Sequence, residues 1–355
     1  MKDRLNAPLR AVGLLLLSLG SMPACLSQAA SGSPPAVSTP ESASSLASVQ
    51  ALIDQNRLGE ALQQLDRLAA RRPEPAGVEL LRGMALYHGN KLNEAEEAFG
   101  RALAQDPQDV SAAQMQGVTL FRLGRPAAAI PLLERSRGNY VAGANVDDNY
   151  VLGLCYTDTH RYDQAREAFA SLYGFPPASA EAYLLAARMF FRREYVAAAI
   201  ANAERAASLS PKMPLVHEML GEIALAQARD ADAVRELEVE RAINPLYGGL
   251  YDRLGDAYLR AGQYDKAQTM LNRAVLLEPA STGPYILLGK VFLRQGNAAM
   301  ATPYLERARN MDPNNYIIRS LLAQAYRSAG RSAEAAQEMQ KAAEMQEGAA
   351  AMPKP

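Results

Sequence analysis

The chain contains no tryptophan, two cysteines and three histidines in 355 residues, and its formal net charge is −1. Each scarcity closes off a class of function. Cys25 falls in an N-terminal segment that reads as removable, which leaves Cys155 alone, so no intramolecular disulfide can form. Cys155 stands between Leu154 and Tyr156, surroundings that suit a buried structural thiol better than a nucleophile. His88, His160 and His217 are scattered without metal-ligand spacing. The chain carries no phosphate-cradling glycine loop, nucleophile elbow or zinc-protease helix. A non-catalytic protein with no metal and no cofactor is therefore expected. The 37 basic side chains are matched by 38 acidic ones, so no basic field is available to draw nucleic acid. β-Branched residues are thin beside Ala and Leu, which favours helix, because straight-chain side chains and Ala lose little freedom there.

Long apolar runs are also missing. The nine residues Ala11–Leu19 fall well short of the roughly 20 that a bilayer-spanning helix needs. They follow Lys2, Arg4 and Arg10 and precede small residues, the layout of an export signal over residues 1–29. Two processing routes remain open. Met22-Pro23-Ala24-Cys25 resembles a bacterial lipobox, with Cys25 as the lipidated residue, although Met22 and Pro23 depart from its usual Leu and small residue. Ser27-Gln28-Ala29 instead suits ordinary cleavage after Ala29. The expected location is outside the cytoplasm, periplasmic or held to a membrane only through a lipid. Residues 30–44, rich in Ser, Pro and Ala, read as a flexible linker.

What fills the rest of the chain is periodic. Pro177, Pro211, Pro245, Pro279 and Pro313 recur every 34 residues, and Ala61, Ala95, Ala129, Ala165, Ala199, Ala233, Ala267, Ala301 and Ala335 keep the same step with one interval of 36. This period predicts stacked helix-turn-helix units that bury their apolar faces against their neighbours. Nine units begin near Ser42, Ala76, Val110, Val146, Ala180, Pro214, Gly248, Thr282 and Tyr316. Small residues at Gly83, Gly117, Gly153, Ala187, Gly221, Gly255, Gly289 and Ala323 are expected to let paired helices approach. Gly89, Gly124, Gly262, Gly296 and Gly330 fall where the first helix should stop in a left-handed conformation. The longer interval, over Arg137–Asn145, predicts a local loop and divides the repeats into 42–143, with units one to three, and 146–347, with units four to nine. Residues 348–355 read as a disordered tail.

The unit containing Leu254-Gly255, Tyr258, Gly262, Tyr264, Ala267, Leu271, Ala274 and Pro279 closely resembles the tetratricopeptide repeat. So does the next, with Leu288-Gly289, Phe292, Gly296, Ala301, Leu305, Ala308 and Pro313. The resemblance extends from Ser42 to Glu347 and implies an all-α, right-handed α-solenoid of about nine repeats. It also implies a concave groove lined by the first helix of each unit, at its fifth, ninth, twelfth and thirteenth places. At or beside those places stand Leu80, Met84, Tyr87, Met115, Val118, Phe121, Tyr150 and Leu154, then Arg188 and Arg192, then Glu218, Glu222, Asp252 and Asp256, then Lys290 and Arg294. The groove should thus pass from apolar to acidic to basic. The early repeats lack the Lys, Asn and Arg clamp with which some members of that family hold a partner's carboxylate. The expected role is an adaptor or scaffold in the bacterial cell envelope, binding a peptide or helix of a protein partner. One alternative is an envelope polysaccharide-binding or exopolysaccharide-assembly module. Against it, Tyr183, Tyr251 and Tyr285 share one place in their repeats and Tyr162 and Tyr264 another, a pattern of structural use. The other alternative is a cytoplasmic scaffold whose N-terminus is retained.

Overall fold

The computed structural model describes residues 40–71, 73–138 and 147–351, and among them all regular structure is helical. The export segment, Cys25, most of the linker and most of the predicted loop at Arg137–Asn145 lie outside the described residues. Eighteen helices form nine hairpins. In chain order α1 (Pro40–Asp54) pairs with α2 (Leu58–Ala69), α3 (Val78–His88) with α4 (Leu92–Gln105), and α5 (Val110–Arg122) with α6 (Pro126–Ser136). Next, α7 (Asp148–Asp158) pairs with α8 (Tyr162–Tyr173), α9 (Ala180–Arg192) with α10 (Val196–Leu209), and α11 (Val216–Ala226) with α12 (Asp230–Ile243). The last three hairpins are α13 (Gly248–Arg260) with α14 (Tyr264–Leu277), α15 (Gly283–Arg294) with α16 (Ala298–Met311), and α17 (Tyr316–Ser328) with α18 (Ser332–Ala351). The chain forms two compact units, Pro35–Leu246 and a second that holds Tyr247–Pro355.

Two boundaries differ from the sequence reading. Helix α1 starts at Pro40, inside the stretch read as linker, and the missing N–H of a proline costs nothing at a helix start. Helix α18 continues to Ala351, past the predicted end of the repeats. Its exposed side chains include Gln337, Gln340, Lys341 and Glu344, so it closes the second unit with a largely polar surface.

Every hairpin is joined by three residues, and the middle one is left-handed. The set is Asn56, Asn90, Gly124, His160, Glu194, Ala228, Gly262, Gly296 and Gly330, with φ between 55° and 78°. The third residue then donates its N–H to the carbonyl five residues back, as Arg161 does to Tyr156 at 2.8 Å and Gln263 to Tyr258 at 2.9 Å. This closes the last turn of the first helix. Gly89 does not play the role its sequence position predicted. Its φ is −75°, and Asn90 takes the left-handed turn, which Asn tolerates through local hydrogen bonding. At Ala228 nothing offsets the crowding of Cβ against the carbonyl. We expect Ala228→Gly to raise stability by about 0.5–1 kcal/mol, the steric relief less the entropy that glycine adds to the unfolded chain. A higher urea midpoint for the variant would register it.

Inside six of the hairpins a glycine on the first helix meets a large residue 16 positions later on the second. A Cβ on Gly83, Gly117, Gly153, Gly221, Gly255 or Gly289 would come within 3.0 Å of Phe99, Leu133, Phe169, Leu237, Leu271 or Leu305 respectively. Where the first helix carries Ala187 instead, the residue 16 on is Ala203, and both are fully buried. A small residue on the first helix is thus what lets the large partner side chain, or the second helix itself, come close. The second helices end as the prolines dictate. Ser210, Asn244, Glu278 and Asp312, each just before a proline, leave the helical region with ψ of 82°, 67°, 70° and 81°.

Candidate functional site

The residues at the four groove places are best followed within each unit. In the Pro35–Leu246 unit, Met84, Met115, Val118 and Leu154 are between 6% and 8% exposed and belong to the hydrophobic core. The apolar surface left to a partner there is carried by Leu80, Tyr87, Phe121 and Tyr150, which are partly buried against that core. Arg122 covers the Tyr87 ring at 4.7 Å. Of the charged residues, Glu218 is 1% exposed and pairs with Arg188 at 3.6 Å, so this pair ties α9 to α11 rather than presenting free charge. Arg192 is exposed and Glu222 half-buried.

The Tyr247–Pro355 unit is more open. Asp256, Leu259 and Arg260 of α13, Lys290, Leu293 and Arg294 of α15, and Leu321 and Gln324 of α17 line a hollow of about 820 Å³, with Gly262 and Tyr264 at its edge. Asp256, Lys290 and Gln324 are successive 34-residue equivalents, as are Arg260 and Arg294. Three first helices thus present the same stripe to one space. The structure brings three sequence-predicted residues together here, Asp256, Lys290 and Arg294. Leu259 and Leu293 stand at the twelfth place of their units, Arg260 at the thirteenth and Gln324 at the ninth, so the register of the resemblance could have found them although they were not singled out; Leu321, at a sixth place, lies outside it. Arg260 pairs with Asp256 at 2.8 Å, one helical turn away.

Asp252 is not in the hollow lining. Its carboxylate lies against the first residue of α15, where a Cβ on Gly283 would sit 2.7 Å from Oδ2, and its buried Oδ1 has no hydrogen-bond partner. Burial pushes its pKa up to about 6; Arg253 opposes this, while Asp256 and Glu278 add to it. The folded value is above the unfolded one, so the ionised carboxylate costs stability. That cost is absent well below pH 3.8, grows as the pH rises from there toward 6, and is fully present above about pH 6. Asp252→Asn should therefore stabilise this unit at pH 8 by about 1–2 kcal/mol, allowing for partial solvent screening, and by almost nothing near about pH 3. Thermal unfolding of both proteins across that range would test the sign.

Cys155 is fully buried, and burial pushes its thiol up to about 12, the behaviour of a packing residue. His217 is bonded to Glu236 at 2.9 Å and His160 to the Tyr162 hydroxyl at 2.8 Å. Among the described residues no group of His, Cys, Asp and Glu could hold a metal ion, and no helix is long and apolar enough to cross a membrane.

Against this geometry, family models supply the relationship. A model of the tetratricopeptide repeat matches residues 46–110, 150–214 and 286–350, and a second model of the same repeat matches 248–291. The chain belongs to the tetratricopeptide repeat family. A model of the anaphase-promoting complex, cyclosome, subunit 3, also matches residues 88–172. No curated protein matches the chain. Among solved structures, MamA from Desulfovibrio magneticus is similar at 20% identity and a TM-score of 0.45, over 48% of this chain and 96% of that one. The Cut9–Hcn1 hetero-tetramer of the anaphase-promoting complex is similar at 19% identity and a TM-score of 0.42, over 78% and 48%. A tetratricopeptide repeat protein from Parabacteroides merdae is similar at 16% and 0.39, over 70% and 97%. The tetratricopeptide repeat fold is typically a non-catalytic scaffold for protein interaction.

Proposed function

We propose that this tetratricopeptide repeat protein is an adaptor of a bacterial cell envelope that holds a segment of a protein partner against its first helices. The hollow between α13, α15 and α17 carries the reading, because there the side chains of three successive first helices leave room for a ligand. The envelope location rests on Lys2, Arg4 and Arg10, the apolar run Ala11–Leu19 and the small residues that follow. Tyr251, Tyr258 and Tyr326 are 6% exposed or less and serve packing, so these three are not available for sugar stacking.

Two measurements test the two halves of this reading. A photo-crosslinking residue at Leu293 should capture the partner, whereas one at the exposed Arg273 of α14 should not. Equal capture at both positions would reject the first-helix face as the site. N-terminal sequencing of the protein from its host should return an acylated Cys25 or a free Ala30. An intact Met1 would remove the envelope half.

A further inference from the structure

The charges around the hollow are unevenly answered. Arg260 is neutralised by Asp256 one turn away, yet Lys290 and Arg294, also one turn apart on α15, have no ion-pair partner among the described residues. Two like charges at this spacing weaken a helix by roughly 0.2–0.5 kcal/mol, and leucines beside them lower the local dielectric. On the first helix α9, by contrast, Arg188 is given a counter-ion by Glu218 of α11. On α15 the missing counter-charge faces open space bordered by Leu259, Leu293 and Leu321.

We propose that this hollow takes an acidic, leucine-bearing segment of a protein partner. One carboxylate is met by the Arg294 guanidinium, whose planar fork can donate two hydrogen bonds to it, and another by the Lys290 ammonium. An aliphatic side chain between them fills the space among the three leucines. The apolar border separates this occupant from an acidic polysaccharide, whose hydroxylated rings have nothing to gain from leucine and find only Tyr264 for stacking. The inference rests on the first-helix groove reading above and adds the chemistry of the occupant.

The test uses the full-length protein and a short fluorescein-labelled peptide of alternating Glu and Leu, with a Gln-for-Glu peptide and a polyuronate as comparisons. Fluorescence anisotropy should show binding of the Glu peptide that weakens at least about tenfold in Lys290→Ala/Arg294→Ala, and also weakens as salt rises. Both side chains reach solvent, and circular dichroism checks that the variant keeps its helices. Crosslinking from Leu293 reports where each peptide sits. If the Gln peptide binds as tightly and crosslinks there, the acidic chemistry is overturned and the groove reading stands. If neither peptide crosslinks, the proposal is overturned and the groove reading loses its main support. Binding of the polyuronate alone, sensitive to the same double substitution, overturns the peptide in favour of a sugar.

Discussion

Phe169→Ala is expected to destabilise the Pro35–Leu246 unit by about 4 kcal/mol, in the range for emptying a buried aromatic site. Phe169 is 1% exposed and lies over Gly153 of α7. Its ring also meets Tyr150 at 6.4 Å and Phe190 at 6.5 Å, so it joins its own hairpin to the next. The partner position gives a sharper test. Gly153→Ala adds a methyl group that collides with the Phe169 ring, and overpacking of this kind costs about 1–3 kcal/mol against a helix-propensity gain of about 1. In the Phe169→Ala background the collision is gone, so the same substitution should become stabilising. A urea-unfolding double-mutant cycle followed by far-UV circular dichroism measures that change of sign. If Gly153→Ala cost the same in both backgrounds, the glycine would not be there to admit the ring.

Glu338→Ala should cost about 3 kcal/mol in the Tyr247–Pro355 unit. The Glu338 carboxylate is 7% exposed and accepts from Arg309 at 2.7 Å and from Arg319 at 2.8 Å. Arg319 is itself only 11% exposed, and its other nitrogens donate to the carbonyl of Pro313. Removing the carboxylate leaves two guanidinium groups facing each other with little water to solvate them. The loss should concentrate in α17 and α18, and amide exchange of α18 should speed up by roughly a hundredfold, the rate equivalent of that energy. Unchanged exchange there would mean that water already reaches the pair.

The hairpins were legible in the sequence because their grammar is local. A small residue, a large one 16 positions on and a proline at the end each act within one repeat, so a 34-residue period displays them. Burial between repeats was less legible. The register that put Met84, Met115, Val118 and Leu154 on the first helices carried no measure of how far the next repeat covers them, and the structure places all four in the core. Gly89 misled for a related reason, since either of two adjacent turn residues can take the left-handed conformation and the chain uses Asn90. In the second unit the charges at Asp256, Lys290 and Arg294 were found from their places in the repeat. Arg260, Leu259, Leu293 and Gln324 stand at the same places but were passed over, because the register alone does not say which residues border open space, and Leu321 lies off the register altogether.

The identical turns bear on how the chain comes to be folded at all. Each hairpin closes with its own left-handed residue, and polar ties such as Gln114 to Asp148 or Arg193 to Asp158 reach only the adjacent repeat. Such short loops cost little entropy to close, which places the protein among topologies that fold quickly. A chain emerging slowly from one end can therefore complete a hairpin, seat it on the previous one and proceed, without waiting for its far terminus.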